Sequence, residues 1–240
     1  NDAKFFGNPQ FTNTSNGKFG RAIDFDHNGD YLRVSHFAGI TTSNFVSASA
    51  WVKLDTLGSA GTDDSAIIGS AANDSHTFLL WYNNDGAGGS NNPSYSFNVG
   101  SGGTGTNRVG SGASSAVANT WQHVVGTYNM GTKKIYVNGV LKGTVSNSTT
   151  QISPVGQDFY IGAWDGVTTN MRMNGFIDDL RVYNIELSQA QVTAIYGNGS
   201  GDIGSAVTPG PLVVTAPANN DRVLFWGDLS NEENHARITN

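Results

Sequence analysis

Cysteine is absent from the 240 residues, which excludes disulfides, thiolate metal sites and thiol nucleophiles. Charge is scarce too: Asp, Glu, Lys and Arg make up 13% of the chain, against roughly 25% in an average globular protein. The balance is acidic, −6 at pH 7, so a nucleic-acid partner has no electrostatic support. No apolar run approaches the roughly 18 residues of a membrane-spanning helix, and membrane insertion is not expected. Glutamate occurs only at Glu186, Glu232 and Glu233. No Gly-x-Ser-x-Gly elbow, lysine-bearing phosphate loop or His-x-x-x-His pair is present, so catalysis is not expected.

What the chain has instead is glycine, 31 residues of it, with Asn, Ser and Thr throughout. Short β-branched and aromatic runs alternate with Gly/Asn/Asp clusters, the pattern of strands and turns. Strands are predicted over Arg21 to Phe25, Tyr31 to Val34, Phe45 to Leu54, Ala66 to Ser70, Phe78 to Tyr82 and Tyr95 to Val99. Others follow over Trp121 to Tyr128, Lys133 to Val137, Val140 to Val145, Phe159 to Ala163 and Phe176 to Tyr183. Asn138-Gly139 suits a two-residue hairpin turn, because both residues accept positive φ. About eleven strands imply an all-β fold of two packed antiparallel sheets. One short helix is predicted over Leu187 to Tyr196, started by Ser188, ended by Gly197 and packed over the sandwich edge. Residues 1–196 therefore read as one domain, 197–211 as a Gly/Ser/Pro linker, and 212–240 as a strand-bearing tail too short for its own core.

The stretch from Gly175 to Asn184 sets two adjacent carboxylates and an arginine inside an apolar strand. Strict alternation would send Asp178 and Asp179 to opposite faces. A buried carboxylate needs a partner, so one of the two should meet a cation: Arg181 beside Asp179, or a metal near Asp178.

Gly17 to Asp26, Asp30 to Val34, Ala48 to Lys53, Trp121 to Tyr128, Ile135 to Gly139, Tyr160 to Ala163 and Gly175 to Asn184 occur in an order and spacing that resemble the laminin-G-like, concanavalin A-like jellyroll family of bacterial secreted proteins. The resemblance covers Gly17 to about Tyr196. It implies an antiparallel jellyroll, often calcium-bearing and used mostly for carbohydrate binding or adhesion, at an extracellular or cell-surface location. The apolar strand and polar loop that usually open such domains stand here at the other end, from Val223 to Ala236. That tail would complete this sandwich in cis or a neighbouring copy in trans, or the chain is one piece of a tandem array.

Asp26, Asn28 and Asp30 space hard oxygens at alternate positions around Gly29, as calcium requires. The alternative is a turn whose side chains satisfy its own backbone. Asp178 matches, by the same resemblance, the aspartate that holds structural calcium in related glucanases, and Asp228 is a further candidate ligand. A sugar site would use aromatic platforms with planar polar groups. Tyr82, Asn84 and Asp85 after Trp81, and Trp164, Asp165 and Arg172 after a later strand, supply both, unless the tryptophans are core. Trp51 and Trp121 are expected in the core. Within the resemblance, glucanases carry Glu-x-Asp-x-x-Glu, which is missing here. The function expected is a non-catalytic module, stabilised by calcium, that binds polysaccharide or glycoprotein glycan for adhesion. The alternative is a structural subunit of a surface fibre or tandem-repeat adhesin whose tail donates a strand to the next copy.

Overall fold

The structure is a computed structural model describing residues 3–13, 16–35, 44–58, 64–72, 75–84, 92–101, 108–146, 152, 158–167, 171–198, 214–215 and 221–222. Two seven-stranded antiparallel sheets form a jellyroll sandwich. Sheet A runs β1 (Lys4–Phe6), β4 (Tyr31–Val34), β13 (Phe159–Ile161), β6 (Ser65–Ala72), β7 (Ser75–Asn83), β8 (Ser94–Ser101) and β9 (Val109–Gly110). Sheet B runs β12 (Val140–Ser146), β11 (Thr132–Val137), β10 (Gln122–Asn129), β5 (Phe45–Leu54), β14 (Asn174–Tyr183), β3 (Ile23–Asp26) and β2 (Gln10–Phe11).

Alternation explains the core. Phe25, Leu32, Val46, Ala48, Ala50, Val52, Leu80 and Val124 point inward and are fully buried between the sheets. Phe78 sits 5.3 Å from Phe159 and 6.3 Å from Phe97, centroid to centroid. A Cβ at Gly126 would lie 2.2 Å from the Phe97 ring, so only glycine lets that ring cross the gap between layers. The β11–β12 turn is the two-residue one expected, with φ of 51° at Asn138 and 77° at Gly139. The predicted strands are all present, with ends shifted by one to three residues at most. Three strands of the two sandwich sheets were not anticipated, β1, β2 and β9, because two or three residues are too few to show alternation.

Helix α1 (Gln189–Asn198) begins as expected: Ser188 Oγ accepts the Gln191 N–H at 3.3 Å, and Gln191 Oε1 accepts the Ser188 N–H at 2.7 Å. It runs through Gly197 rather than stopping there. Its Val192 and Ile195, with Leu187, pack on Val125, Tyr136 and Tyr183. The helix thus covers the outer face of sheet B, not the sandwich edge. In the tail, β15 (Val214–Thr215) and β16 (Asp221–Arg222) pair with each other. All of Val223 to Ala236, including Asp228, lies outside the described residues.

Strand β14 departs from the alternation read in the sequence. Its register against β5 slips between Asp178 and Arg181, and Asp179 takes a left-handed φ of 46°. This bulge inserts an extra residue, so both carboxylates reach the outer face instead of opposite ones. Asp178 Oδ2 accepts the backbone N–H groups of Lys18 at 2.8 Å and Phe19 at 2.9 Å, and its Oδ1 accepts that of Asp179 at 2.7 Å. Asp179 pairs with Arg181, whose Nε and Nη2 each stand 2.7 Å from Oδ1. The arginine answers Asp179, and main-chain N–H groups answer Asp178.

Trp51 is buried as expected, though under the outer face of sheet B rather than between the sheets, whereas Trp121 is not in the core. Trp51, opposite Asp178 in the ladder, lies on the outer face of sheet B between the Lys18–Phe19 loop and the end of α1. Trp121 is half-buried near Phe176, with Lys53 Nζ 5.6 Å from its ring. His123 pairs with Trp51 across the ladder, fully buried against it and Tyr196, and among the described residues neither ring nitrogen has a hydrogen-bond partner. Burial, reinforced by Arg181, pushes its imidazole down to about 3.

Two outcomes follow from this face. Asp178→Ala strips three main-chain donors of their acceptor and should cost about 2–4 kcal/mol in urea unfolding, with Asp178→Asn milder; a loss below about 0.5 kcal/mol would contradict the role given to the carboxylate. For His123 the folded value lies below the unfolded one, so the unfolded chain binds the extra proton. Its stabilising contribution is complete above pH 6.5 and shrinks by up to about 1.4 kcal/mol per unit as pH falls from there toward 3. His123→Phe should flatten that part of the stability–pH profile, and an unchanged slope would remove His123 from the account.

Candidate functional site

The strand registers gather several chain segments at one end of the sandwich. Leu32 pairs with Ile161, Ile161 with Ile68, Ser65 with Tyr82, and Asp26 with Asn174. The start of β4, the starts of β6 and β14, and the ends of β7 and β13 therefore meet on one rim. Residues 162–167 and 171–173 are stitched over it. Ala66 N–H donates to Met171 O, Met173 N–H to Gly162 O, and His27 N–H to Met173 O, all at 2.8–3.1 Å.

Beside this rim, the outer face of sheet A carries aromatic rings and guanidinium groups. Leu32, Val34, Phe159 and Ile161 point into the core, which turns Tyr31, Arg33 and Tyr160 outward. Phe6, opposite Tyr31 in the ladder, stacks on it with centroids 4.7 Å apart and planes within 1°. The Arg33 guanidinium stands 5.2 Å from the Phe6 ring and that of Arg172 4.7 Å from the Tyr31 ring. Tyr160 lies 5.9 Å from Tyr31, and the Trp164–Val167 turn rests on both rings: a Cβ on Gly166 would come within 3.1 Å of Tyr160 and 3.3 Å of Tyr31. Trp164 is half-buried against Ala66, Leu79, Trp81 and Met171. Burial, then Asp158, raises the Tyr160 phenol, and Asp165 adds to the effect. Phe6 and Tyr31 occupy each other's faces, which leaves the half-buried Tyr160 and Trp164 as the partly open rings here.

Of the residues singled out in the sequence, Trp164, Asp165 and Arg172 come together here. Asp165 Oδ1 accepts the Val167 N–H at 2.9 Å and shapes the turn. Tyr82 and Asn84 reach the same end but turn inward. Tyr82 is in the core with its hydroxyl donating to Leu57 O, and Asn84 donates to Leu57 O at 2.9 Å while accepting the Asn92 N–H at 3.0 Å. They brace loops and do not face solvent. Asp85 lies outside the described residues. Phe6, Tyr31, Arg33 and Tyr160 were not singled out, although alternation about Leu32 and about Phe159 to Ile161 carried the signal for three of them.

The acids divide between two places. Asp30 accepts the Asn8 N–H through Oδ1 and the Asp26 N–H through Oδ2, and Asp26 Oδ1 accepts the Asn28 N–H at 2.8 Å. Asp178 lies four residues along β14 from Asn174, roughly 13 Å from the rim. Burial raises the Asp24 carboxyl, and Asp55, Asp26 and Asp30 raise it further, so the rim's field favours a cation. The donors at 26, 28 and 30 are hard oxygens of the kind calcium takes. Among the described residues, however, no three His, Asp or Glu side chains converge as a metal site. No helix among them is long and apolar enough to cross a membrane.

The sequence profile of the concanavalin A-like lectin/glucanases superfamily matches residues 26–193. The chain belongs to this superfamily. No curated protein sequence matches it. Among solved structures of the concanavalin A-like fold, it is similar to domain 4 of AbnA, a GH43 extracellular arabinanase from Geobacillus stearothermophilus, in complex with arabinotriose. Identity there is 21% and the TM-score 0.54, over 80% of this chain and 86% of that one. The native heptameric SAP-like pentraxin from Limulus polyphemus gives 18% and 0.56, over 95% and 96% of the two chains. The binding domain of botulinum neurotoxin serotype D gives 19% and 0.57, over 82% of this chain and 46% of that one. At such identities the likeness is one of fold.

Proposed function

We propose that the chain is a non-catalytic carbohydrate-binding module acting outside the cell, which holds a polysaccharide or glycoprotein glycan against the outer face of sheet A. The observation that carries this reading is the grouping of Tyr160, Trp164, Asp165, Arg33 and Arg172 at one rim: apolar ring surface beside planar donors suits the faces and hydroxyl edges of sugar rings. Membership in a lectin/glucanase superfamily and the fold shared with an arabinotriose-bound domain support it. Glu186, the one glutamate among the described residues, is bound to Lys134 at 2.7 Å and follows β14 at its far end from the rim.

Calcium belongs to the proposal as a stabiliser of the rim, held by Asp26, Asn28 and Asp30 and competing there with the backbone N–H groups those carboxylates now accept. The assembly reading rests on the tail, whose apolar run Val223-Leu224-Phe225-Trp226 would enter a neighbouring copy as a strand.

Titration of arabino-oligosaccharides, followed by calorimetry, tests the main reading. Trp164→Ala should weaken binding about tenfold or more in a chain that still folds, with a lower melting temperature because the ring also packs on Ala66, Leu79, Trp81 and Met171, and wild-type affinity in that variant would move the site off this face. Melting in millimolar calcium against EDTA tests the ion: a rise of several degrees with calcium is the expected result, and coincident curves would remove calcium from the function. Size-exclusion of the full chain and of a chain cut after residue 211 tests assembly, which requires larger species for the full chain only.

A further inference from the structure

Arg172 is 5% exposed, and its Nε and Nη1 are buried with no hydrogen-bond partner among the described residues. Two guanidinium nitrogens held from water without an acceptor are costly, and stacking on Tyr31 at 4.7 Å offsets only part of that cost. A surface arginine would relieve that cost by swinging outward. Here the main chain beneath it is pinned from three sides. The Arg172 carbonyl accepts Ser65 Oγ at 3.2 Å and faces His27 Nδ1 at 2.9 Å, while Met171 O and the Met173 N–H are bonded to Ala66 and Gly162. The position is organised in advance around a cation that lacks an anion among the described residues.

Resting on the carbohydrate reading above, we propose that Arg172 receives the carboxylate of a uronic acid, so that the module is selective for acidic glycans. The residue is built into the rim where Trp164 and Tyr160 offer partly open rings, and Tyr31 fixes the plane of the guanidinium beside them. A carboxylate supplies the missing acceptors through charge-assisted hydrogen bonds, the strongest class available to arginine. Asp24, Asp26, Asp30 and Asp55 act on one another near this rim, with Lys53 opposing them, and the chain as a whole carries −6. A preference for an acidic sugar would therefore come from a placed cation rather than from a broadly basic surface. Arg33 does not fill that role, since Asp158 stands 3.4 Å from its Nε.

Calorimetry with trigalacturonate, its methyl ester, a neutral galactose trimer and a sulfated trimer of equal length tests the assignment. The expected result is affinity for the acid at least about tenfold above that for the ester and the neutral trimer, a margin that narrows with added salt. Arg172→Gln should bring the ratio of acid to neutral affinity close to one, with the melting temperature equal or higher. Esterification removes the charge from the ligand alone, so the comparison stands even if that variant folds poorly. Neutral binding with no preference for the acid would overturn the inference and leave the carbohydrate reading standing, whereas failure of every trimer and of arabino-oligosaccharides would sink both. Tighter binding of the sulfated trimer would assign the anion as sulfate and overturn the uronate, and an acid preference that survives in a folded Arg172→Gln would move the anion site elsewhere.

Discussion

The carboxylate of Asp178 holds the outer face of sheet B in place. Its oxygens accept main-chain N–H groups from Lys18 and Phe19, residues separated from it by 160 and 159 positions in sequence. Once that loop is fixed, Phe19 lies edge-on to Trp51 at 5.7 Å, Trp51 stacks with Tyr196 at 5.5 Å, and the end of α1 closes over His123. A charged group is accepted in this setting because N–H donors surround it, and charge-assisted hydrogen bonds to backbone are stronger than neutral ones. Asp179 and Arg181 repeat the solution beside it with an ion pair. Ladder pairing of β14 with β5 and β3 orders the strand, and polar partners on its outer side set where neighbouring loops settle.

Much of the fold was legible in the sequence because burial imposes a period of two on long strands. Phe45–Leu54 and Tyr31–Val34 carry that pattern without interruption, and their bounds agree with the structure. Asn138-Gly139 declared its turn because few other residue pairs accept two positive φ angles. The edge strands Lys4–Phe6 and Gln10–Phe11 left no such trace. The bulge at Asp179 was hidden for a different reason. A one-residue slip is a property of two strands in register, and a single strand read alone shows only its own alternation.

The candidate site shows the same limit. Trp164, Asp165 and Arg172 were visible as a loop of suitable chemistry, and sheet pairing supplied what the sequence could not: the neighbours Tyr31, Tyr160 and Phe6 from strands more than a hundred positions apart. Tyr82 and Asn84 follow a tryptophan in the same manner, yet their side chains brace the Leu57 loop. Composition alone cannot separate these two loops. The deciding quantity is the parity of each residue relative to its inward-facing neighbours, Leu80 for Tyr82 and Ile161 for the segment before Trp164.

The clasp between the loop at Lys18 and strand β14 also governs how the chain is made. A ribosome adding about 5–20 residues per second needs on the order of ten to thirty seconds to reach position 178 after passing position 18. Throughout that interval the nascent amino-terminal third holds apolar strands with nothing to seat them, and ladder contacts of such long range form slowly in any case. Synthesis must therefore reach the last large strand before the first ones lock, so that the sandwich closes late and as a unit.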